Sequence, residues 1–341
     1  MRFAFTDDQL LFRDAVREVL AKECSPGVVR RACESARAHS VELWRALAEL
    51  GVVGLMVPET DGGLGMNELD LVLLLEESGR AALPEPLLGT TAVAVPLLVE
   101  SGHPAAGQWL PAIARGDAII AVALRSDLVL DADVADALVA CRDDRVVLVP
   151  TGALDLVRQP SIDGSRHLFR VDWDDANATV LASEIEAPGL VQRALDRGAL
   201  AAAAQLVGLA EQMLTVTVDY VRQREQFGVA IGSFQAVKHH LADALLAIEF
   251  AKPVVYNAAY EMSESPKDAS VAVSMAKSSA SDAATLVARK ALQCHGAIAY
   301  TVEYDLHMWM KRAWALAAAW GDARWHRRRV AASVLGPDPA H

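Results

Sequence analysis

Asp219-Tyr220-Val221-Arg222-Gln223-Arg224-Glu225-Gln226-Phe227-Gly228-Val229-Ala230-Ile231-Gly232-Ser233-Phe234-Gln235 is the stretch that decides how the rest of the chain is read. It interrupts a helical tract that runs from Pro188 to the C-terminus. Within that tract, Ala199-Leu200-Ala201-Ala202-Ala203-Ala204 and then Gly208 offer a helix face small enough for close packing. An arginine within Arg222-Gln223-Arg224-Glu225 is ordinarily a solvated charge at a helix end. Here the aromatic-glycine pair Phe227-Gly228 follows, which sets Arg224 in a different context.

Upstream the texture changes. Between residues 119 and 187, short apolar runs such as Ile119-Ile120-Ala121-Val122-Ala123-Leu124, Arg145-Val146-Val147-Leu148-Val149 and Leu168-Phe169-Arg170-Val171 alternate with turns containing Asp and Gly. They predict a small β unit. Before it the chain is helical again. Thr6 before Asp7 and Asp8, then Leu10, Leu11, Ala15, Val16, Val19 and Leu20, give a capped amphipathic helix that Pro26 is expected to end. A second stretch carries Trp44, Leu47 and Leu50, residues 57–65 are dense in turn formers, and an apolar helix covers about 68–80. The expected fold is therefore mainly α with a small central β domain, divided as residues 1–118, 119–187 and 188–341.

Composition narrows the function. The 341 residues carry 32 Lys and Arg against 44 Asp and Glu, a net charge of −12, so no basic field draws in a nucleic-acid backbone. Nucleic acid is excluded as an expected partner. The opening Met1-Arg2-Phe3-Ala4-Phe5-Thr6 lacks the pattern of an export signal. Apolar runs such as Leu71-Val72-Leu73-Leu74-Leu75 stop at Glu76-Glu77, short of the roughly 20 residues that span a bilayer. A soluble, cytoplasmic chain without a membrane span is the expectation. Cys24, Cys33, Cys141 and Cys294 show no paired spacing, which argues against a zinc site or disulfide framework.

Residues 219–235 closely resemble the acyl-CoA dehydrogenase signature R-x-Q-F-G-x-x-I-x-x-F-Q. The run Leu50-Gly51-Val52-Val53-Gly54-Leu55-Met56-Val57-Pro58-Glu59, then Gly62-Gly63-Leu64-Gly65 and Glu76-Glu77-Ser78-Gly79-Arg80, looks like the first helical domain of the same family. Gln293-Cys294-His295-Gly296-Ala297-Ile298-Ala299-Tyr300-Thr301-Val302-Glu303-Tyr304 resembles its Q-x-x-G-G-x-G-Y-T-x-E-Y segment. The resemblance implies a helical domain, a β domain and a C-terminal four-helix bundle that mediates assembly. It also implies that the first and last of these motifs reach into the FAD site of a neighbouring subunit. Arg224 would pair its planar donor fork with the pyrophosphate, Phe227 would give an apolar contact, and Gln235 would hydrogen-bond the adenosine half. Gln293, Gly296 and Ala297 would bring backbone to that same half. Ala297 and Ala299 replace family glycines, adding methyl groups where backbone should come close.

The departures are as informative. Desaturating an acyl-CoA requires a general base for the α-proton, a glutamate in this family. Counting on from Glu303-Tyr304 puts Trp320 at the usual base position, and counting back from Arg224 puts Gly198 at the alternative one. Neither side chain takes a proton. Asp322 and Asp196 each stand two residues away, a rotation of about 200° on a helix, and read as solvated surface acids. Where the family has T-E-P and then A-G-S-D, this chain has Arg125-Ser126-Asp127-Leu128-Val129-Leu130-Asp131-Ala132, and the later N-G-x-K turn is missing. The flavin ring and thioester lose their expected cradle.

The resemblance thus implies a subunit without a catalytic base, similar to the silent partner in heterotetrameric (α2β2) acyl-CoA dehydrogenases of actinobacterial steroid degradation. It would share FAD with a second family member that carries the glutamate. The substrate would be an acyl-CoA, of steroid side-chain or ring origin, and the electron acceptor an electron-transfer flavoprotein. Two alternatives stay open: a homomeric scaffold that has lost flavin, and a self-sufficient dehydrogenase using a displaced acid such as Asp322.

Overall fold

The computed structural model describes residues 4–336. Met1-Arg2-Phe3, on which the export-signal expectation partly rests, lies outside the described residues, as do residues 337–341. Thr6 caps α1 (Asp7–Glu23) in a reciprocal box, its hydroxyl accepting the Gln9 N–H at 3.2 Å while the Gln9 side chain accepts the Thr6 N–H at 2.9 Å. The helix stops short of Pro26, since the residue ahead of a proline avoids the helical region. Cys24 closes it, and Pro26 opens α2 (Pro26–Glu34), because a first-turn residue has no intrahelical N–H bond to lose.

There follow α3 (Val41–Glu49), α4 (Glu68–Arg80), a π-helix (Leu88–Ala94) running into α5 (Val95–Ser101), and the short α6 (Pro104–Gly107) and α7 (Leu110–Ala114). Seven strands come next: β1 (Ile120–Ala123), β2 (Leu128–Leu130), β3 (Ala137–Arg142), β4 (Arg145–Pro150), β5 (Leu154–Gln159), β6 (Leu168–Trp173) and β7 (Thr179–Ala182). They make one sheet of order β1-β3-β4-β7, in which only β1 and β3 run parallel, and one of order β2-β6-β5. After α8 (Ala187–Gln223) a hairpin of β8 (Glu225–Gln226) and β9 (Val229–Ala230) leads to α9 (Gln235–Glu264), α10 (Ser270–His295), α11 (Leu306–Ala318) and α12 (Ala323–Leu335). The chain is mainly α with a small central sheet region.

Contacts divide the chain into two compact units, with two of the three cuts inside helices, α4 and α8. The first unit, residues 4–74 and 84–198 as described, groups the early helices with the strands. There the Thr90 hydroxyl of the π-helix binds both backbone groups of Ile120, at 3.2 Å each, and so ties the buried helix to β1. Trp44 donates its indole N–H to the Gly116 carbonyl at 3.1 Å. Arg197 is held between Glu68 and Glu100, each at 2.6 Å.

The second unit, residues 75–83 and 199–336, is the bundle. Gly79 and Gly208 let two helices meet backbone to backbone: a Cβ at Gly208 would lie 1.8 Å from the Glu76 carbonyl oxygen, and one at Gly79 2.1 Å from that of Gln205. The buried small residues 199–204 continue this face, as their sequence led us to expect. Beside the crossing, Glu76 is buried and accepts from the Tyr256 hydroxyl at 2.7 Å, while Glu211 pairs with Arg80 and Lys252. One helix, α8, is long and apolar enough to cross a membrane by length and composition alone. Its most apolar window is 72% buried within the protein, the pattern of a core helix.

Candidate functional site

The features singled out by the signature lie in the bundle unit. At the end of α8 the backbone N–H of Arg224 is held by the Tyr220 carbonyl at 2.8 Å, and the Arg224 carbonyl accepts from Ile231 at 2.8 Å. Between these anchors the hairpin turns on Phe227 (φ +57°) and Gly228 (φ +80°), both in the left-handed region that such a two-residue loop requires. An aromatic residue is strained there, and its ring is 93% exposed, touching Phe234 edge-on at a centroid distance of 6.2 Å. Arg224 is exposed and makes no ion pair or side-chain hydrogen bond among the described residues. Gln235, also exposed, is the first residue of the 30-residue α9, whose N-terminus no side chain caps.

The second segment sits at the end of α10. Gln293 is exposed, and Gly296 has φ +67° and ψ −145°, a conformation open in practice only to glycine. Ala297 is exposed whereas Ala299 is buried, so of the two methyl groups that replace family glycines only that of Ala297 lies on the surface. His295, buried, stacks on Tyr220 with centroids 4.3 Å apart and planes inclined by 24°. Its Nε2 lies 3.1 Å from the Tyr304 hydroxyl and its Nδ1 2.8 Å from the Ala291 carbonyl. The stack joins the Arg224 hairpin to the 293–297 turn. The sequence carries both halves of that contact but gives no sign that residues 75 positions apart touch.

Of the two residues that the sequence leads one to expect at base positions, Gly198 is buried in α8. Trp320 (φ +58°) and Gly321 (φ +92°) form the turn after α11, and buried side chains pin it. Lys277 donates to the carbonyls of Ala317 at 3.2 Å and Gly321 at 3.0 Å and to the Ser281 hydroxyl at 3.2 Å. His326 donates from Nε2 to the Trp320 carbonyl at 3.0 Å and accepts at Nδ1 from the Ser274 hydroxyl at 3.1 Å. Burial pushes the Lys277 amine down to about 7, against a smaller upward pull from Asp322. Asp322 is exposed, as expected, but its carboxylate caps α12 by accepting the Trp325 N–H at 2.7 Å. Asp196 is not a surface acid: it is 1% exposed and accepts from the Gln192 side chain one turn back at 3.1 Å. Residues 196–210 are all buried, so this part of α8 offers Asp196 no solvent face.

The model of the acyl-CoA dehydrogenase N-terminal domain matches residues 6–117, and that of the acyl-CoA dehydrogenase C-terminal domain matches residues 189–335. The chain belongs to the acyl-CoA dehydrogenase family. Among curated relatives, acyl-CoA dehydrogenase IpdE2 of Mycobacterium tuberculosis is 35% identical over 96% of this chain and 98% of its own length. IpdE2 of Mycolicibacterium smegmatis is 34% identical over 97% and 100%. Among solved structures, the ChsE4-ChsE5 complex from Mycobacterium tuberculosis matches with a TM-score of 0.89 at 24% identity, over 99% of this chain and 100% of the matched one. A variant of the Tcur3481-Tcur3483 steroid ACAD matches with a TM-score of 0.87 at 24% identity, over 96% and 98%. These structural likenesses concern the fold. In this member of the acyl-CoA dehydrogenase family Arg224 stands exposed on its hairpin, and the Trp320 turn is held from within the bundle.

Proposed function

We propose that this acyl-CoA dehydrogenase is the non-catalytic subunit of a heteromeric, FAD-dependent complex that desaturates an acyl-CoA. The observation that carries the reading is a pairing of opposites. Arg224 stands exposed and unpaired on its hairpin, while Trp320, which the count along the sequence assigns to the base position, sits in a turn held by Lys277 and His326.

FAD is the cofactor this family implies, and the residues fit one end of it. A free guanidinium, an exposed amide at Gln235 and the uncapped start of a long helix suit an anionic pyrophosphate with its adenosine. Phe227, Gln293, Gly296 and Ala297 complete the contacts we assign to this chain. Flavin, when bound, takes up the hydride of the desaturation. The residues named here bind and orient, and none of them moves the α-proton, which falls to a glutamate of the partner subunit.

The exposed face of α9 supports assembly. Leu245, Leu246 and Phe250 are exposed there, and Phe250 remains 73% uncovered. Two structures that share the fold come from complexes of two named chains, and one of these is a steroid ACAD. They support a steroid-derived CoA thioester as the substrate class. An electron-transfer flavoprotein is the acceptor that goes with it, and the cytoplasm the setting.

The self-sufficient alternative is disfavoured by Asp322, whose carboxylate is engaged as a helix cap. The scaffold alternative is disfavoured by the retention of the signature hairpin, with Arg224 unpaired beside a strained Phe227. Expression alone and together with a neighbouring family member tests all three. A yellow complex only on co-expression is the expected outcome. A yellow, active homomer would sink the proposal, and colourless protein in both cases would favour the scaffold.

A further inference from the structure

His295 belongs to none of the contacts assigned above, yet it is the best-determined side chain near them. The carbonyl of Ala291 can only accept, so His295 Nδ1 carries a proton and donates it. Burial holds the imidazole below its ordinary value, with the bond to Ala291 opposing, so the ring is neutral and Nε2 presents a lone pair to the Tyr304 hydroxyl. One tautomer and one orientation result. The ring plane then stacks on Tyr220, whose hydroxyl also reaches the His295 carbonyl at 3.5 Å. Tyr304 closes the cluster, its ring centroid 4.9 Å from that of His295 and 5.8 Å from that of Tyr220.

The cluster touches both candidate segments through backbone. Tyr220 holds the Arg224 N–H on its carbonyl, and His295 is followed directly by Gly296 in its glycine-only conformation. A shift of the His295 ring relative to Tyr220 therefore changes the spacing between the guanidinium of Arg224 and the backbone of the 293–297 turn. Packing alone would be served by any apolar residue of similar size. A ring fixed in tautomer and tilt by two hydrogen bonds serves registry.

We propose that His295 is a positioning residue that sets the distance between Arg224 and the 293–297 turn so that the first engages the pyrophosphate and the second the adenosine half of one dinucleotide. This rests on the reading that the chain contributes to an FAD site. Tyr220 and Tyr304 hold His295 in place, and none of the three touches the cofactor.

The test uses the purified co-expressed complex loaded with FAD. FAD release is followed by recovery of flavin fluorescence on dilution, and the native mass and thermal midpoint of the flavin-free complex are measured in parallel. His295→Leu and Tyr220→Leu are expected to release FAD about tenfold faster, with native mass unchanged and a fall in midpoint too small to account for the change. Tyr220→Phe keeps the ring and is expected to release at the wild-type rate. Wild-type release from His295→Leu overturns the inference, and so does faster release that only tracks a fall in the midpoint. If His295→Leu does not fold, Tyr220→Leu against Tyr220→Phe decides, and equal rates in that pair overturn it. Arg224→Ala separates the two levels: wild-type retention there overturns the underlying reading, whereas loss there with retention in His295→Leu overturns the positioning role alone.

Discussion

The amine of Lys277 on α10 reaches the carbonyl oxygen of Gly321 at 3.0 Å, and so a residue wholly inside the bundle fixes the turn that carries Trp320. The bond has a charge attached to it, and the charge makes it measurable.

Lys277 titrates at about 7 in the folded chain against 10.5 for an ordinary lysine. Between those values the unfolded chain binds more protons than the folded one, so this group makes the protein more stable as pH rises from about 7 towards 10. Lys277→Met removes that dependence along with the hydrogen bonds. Its deficit in urea unfolding is expected to widen from pH 7 to pH 9 by on the order of 2 kcal/mol. A deficit that stays constant would show that the amine is not desolvated.

Glu76 gives the opposite slope. Burial, aided by Glu211, raises its carboxyl to about 7 against the downward pull of Tyr256 and Lys252. The folded state holds the extra proton between about 4.5 and 7, so its contribution is present below 4.5 and is lost as pH rises through 7. Glu76→Gln keeps an oxygen for the Tyr256 hydroxyl and no longer ionises. Chemical denaturation should find it more stable than wild type at pH 8, by on the order of 2 kcal/mol, and near parity at pH 4.5.

Gly208→Ala places a methyl group against the Glu76 carbonyl, where the backbones leave no room. A loss of about 3 kcal/mol, read as a drop in thermal midpoint, is expected. Gly228→Ala, with open space around its Cβ, is expected to suffer only the strain of its positive φ.

In the co-expressed complex, Arg224→Ala should lower FAD occupancy, with affinity falling at least about tenfold for a lost charge-assisted bond. Trp320→Ala should leave proton abstraction intact at full flavin load. Isotope exchange of the α-proton against flavin absorbance distinguishes the two, and loss of exchange in the tryptophan variant would count against a silent subunit.

What could be read from the sequence follows from how local each signal is. The helix of α4, the capping box at Thr6 and the small face around Gly208 are written in neighbouring residues, and the structure has them. That a helix stops ahead of Pro26 is a local fact, but that Pro26 also starts α2 depends on how the chain packs beyond it. Burial of Asp196 follows from α8 being covered on every side over residues 196–210, and that is set by residues distant in sequence. The same limit hides the clamp of Lys277 and His326 on the Trp320 turn, and the Tyr220–His295 stack.

The hairpin at Phe227–Gly228 consists of two residue pairs, and the aromatic ring at its tip stands in solvent. Backbone amides in such a place sit at the low end of the protein's local opening energies and trade their hydrogens with water freely, unlike those deep in α8 or α10. Deuterium uptake at this hairpin is therefore a gauge that works without colour, turnover or a known acyl group. Whatever closes over residues 224–230 would register there as slowed exchange.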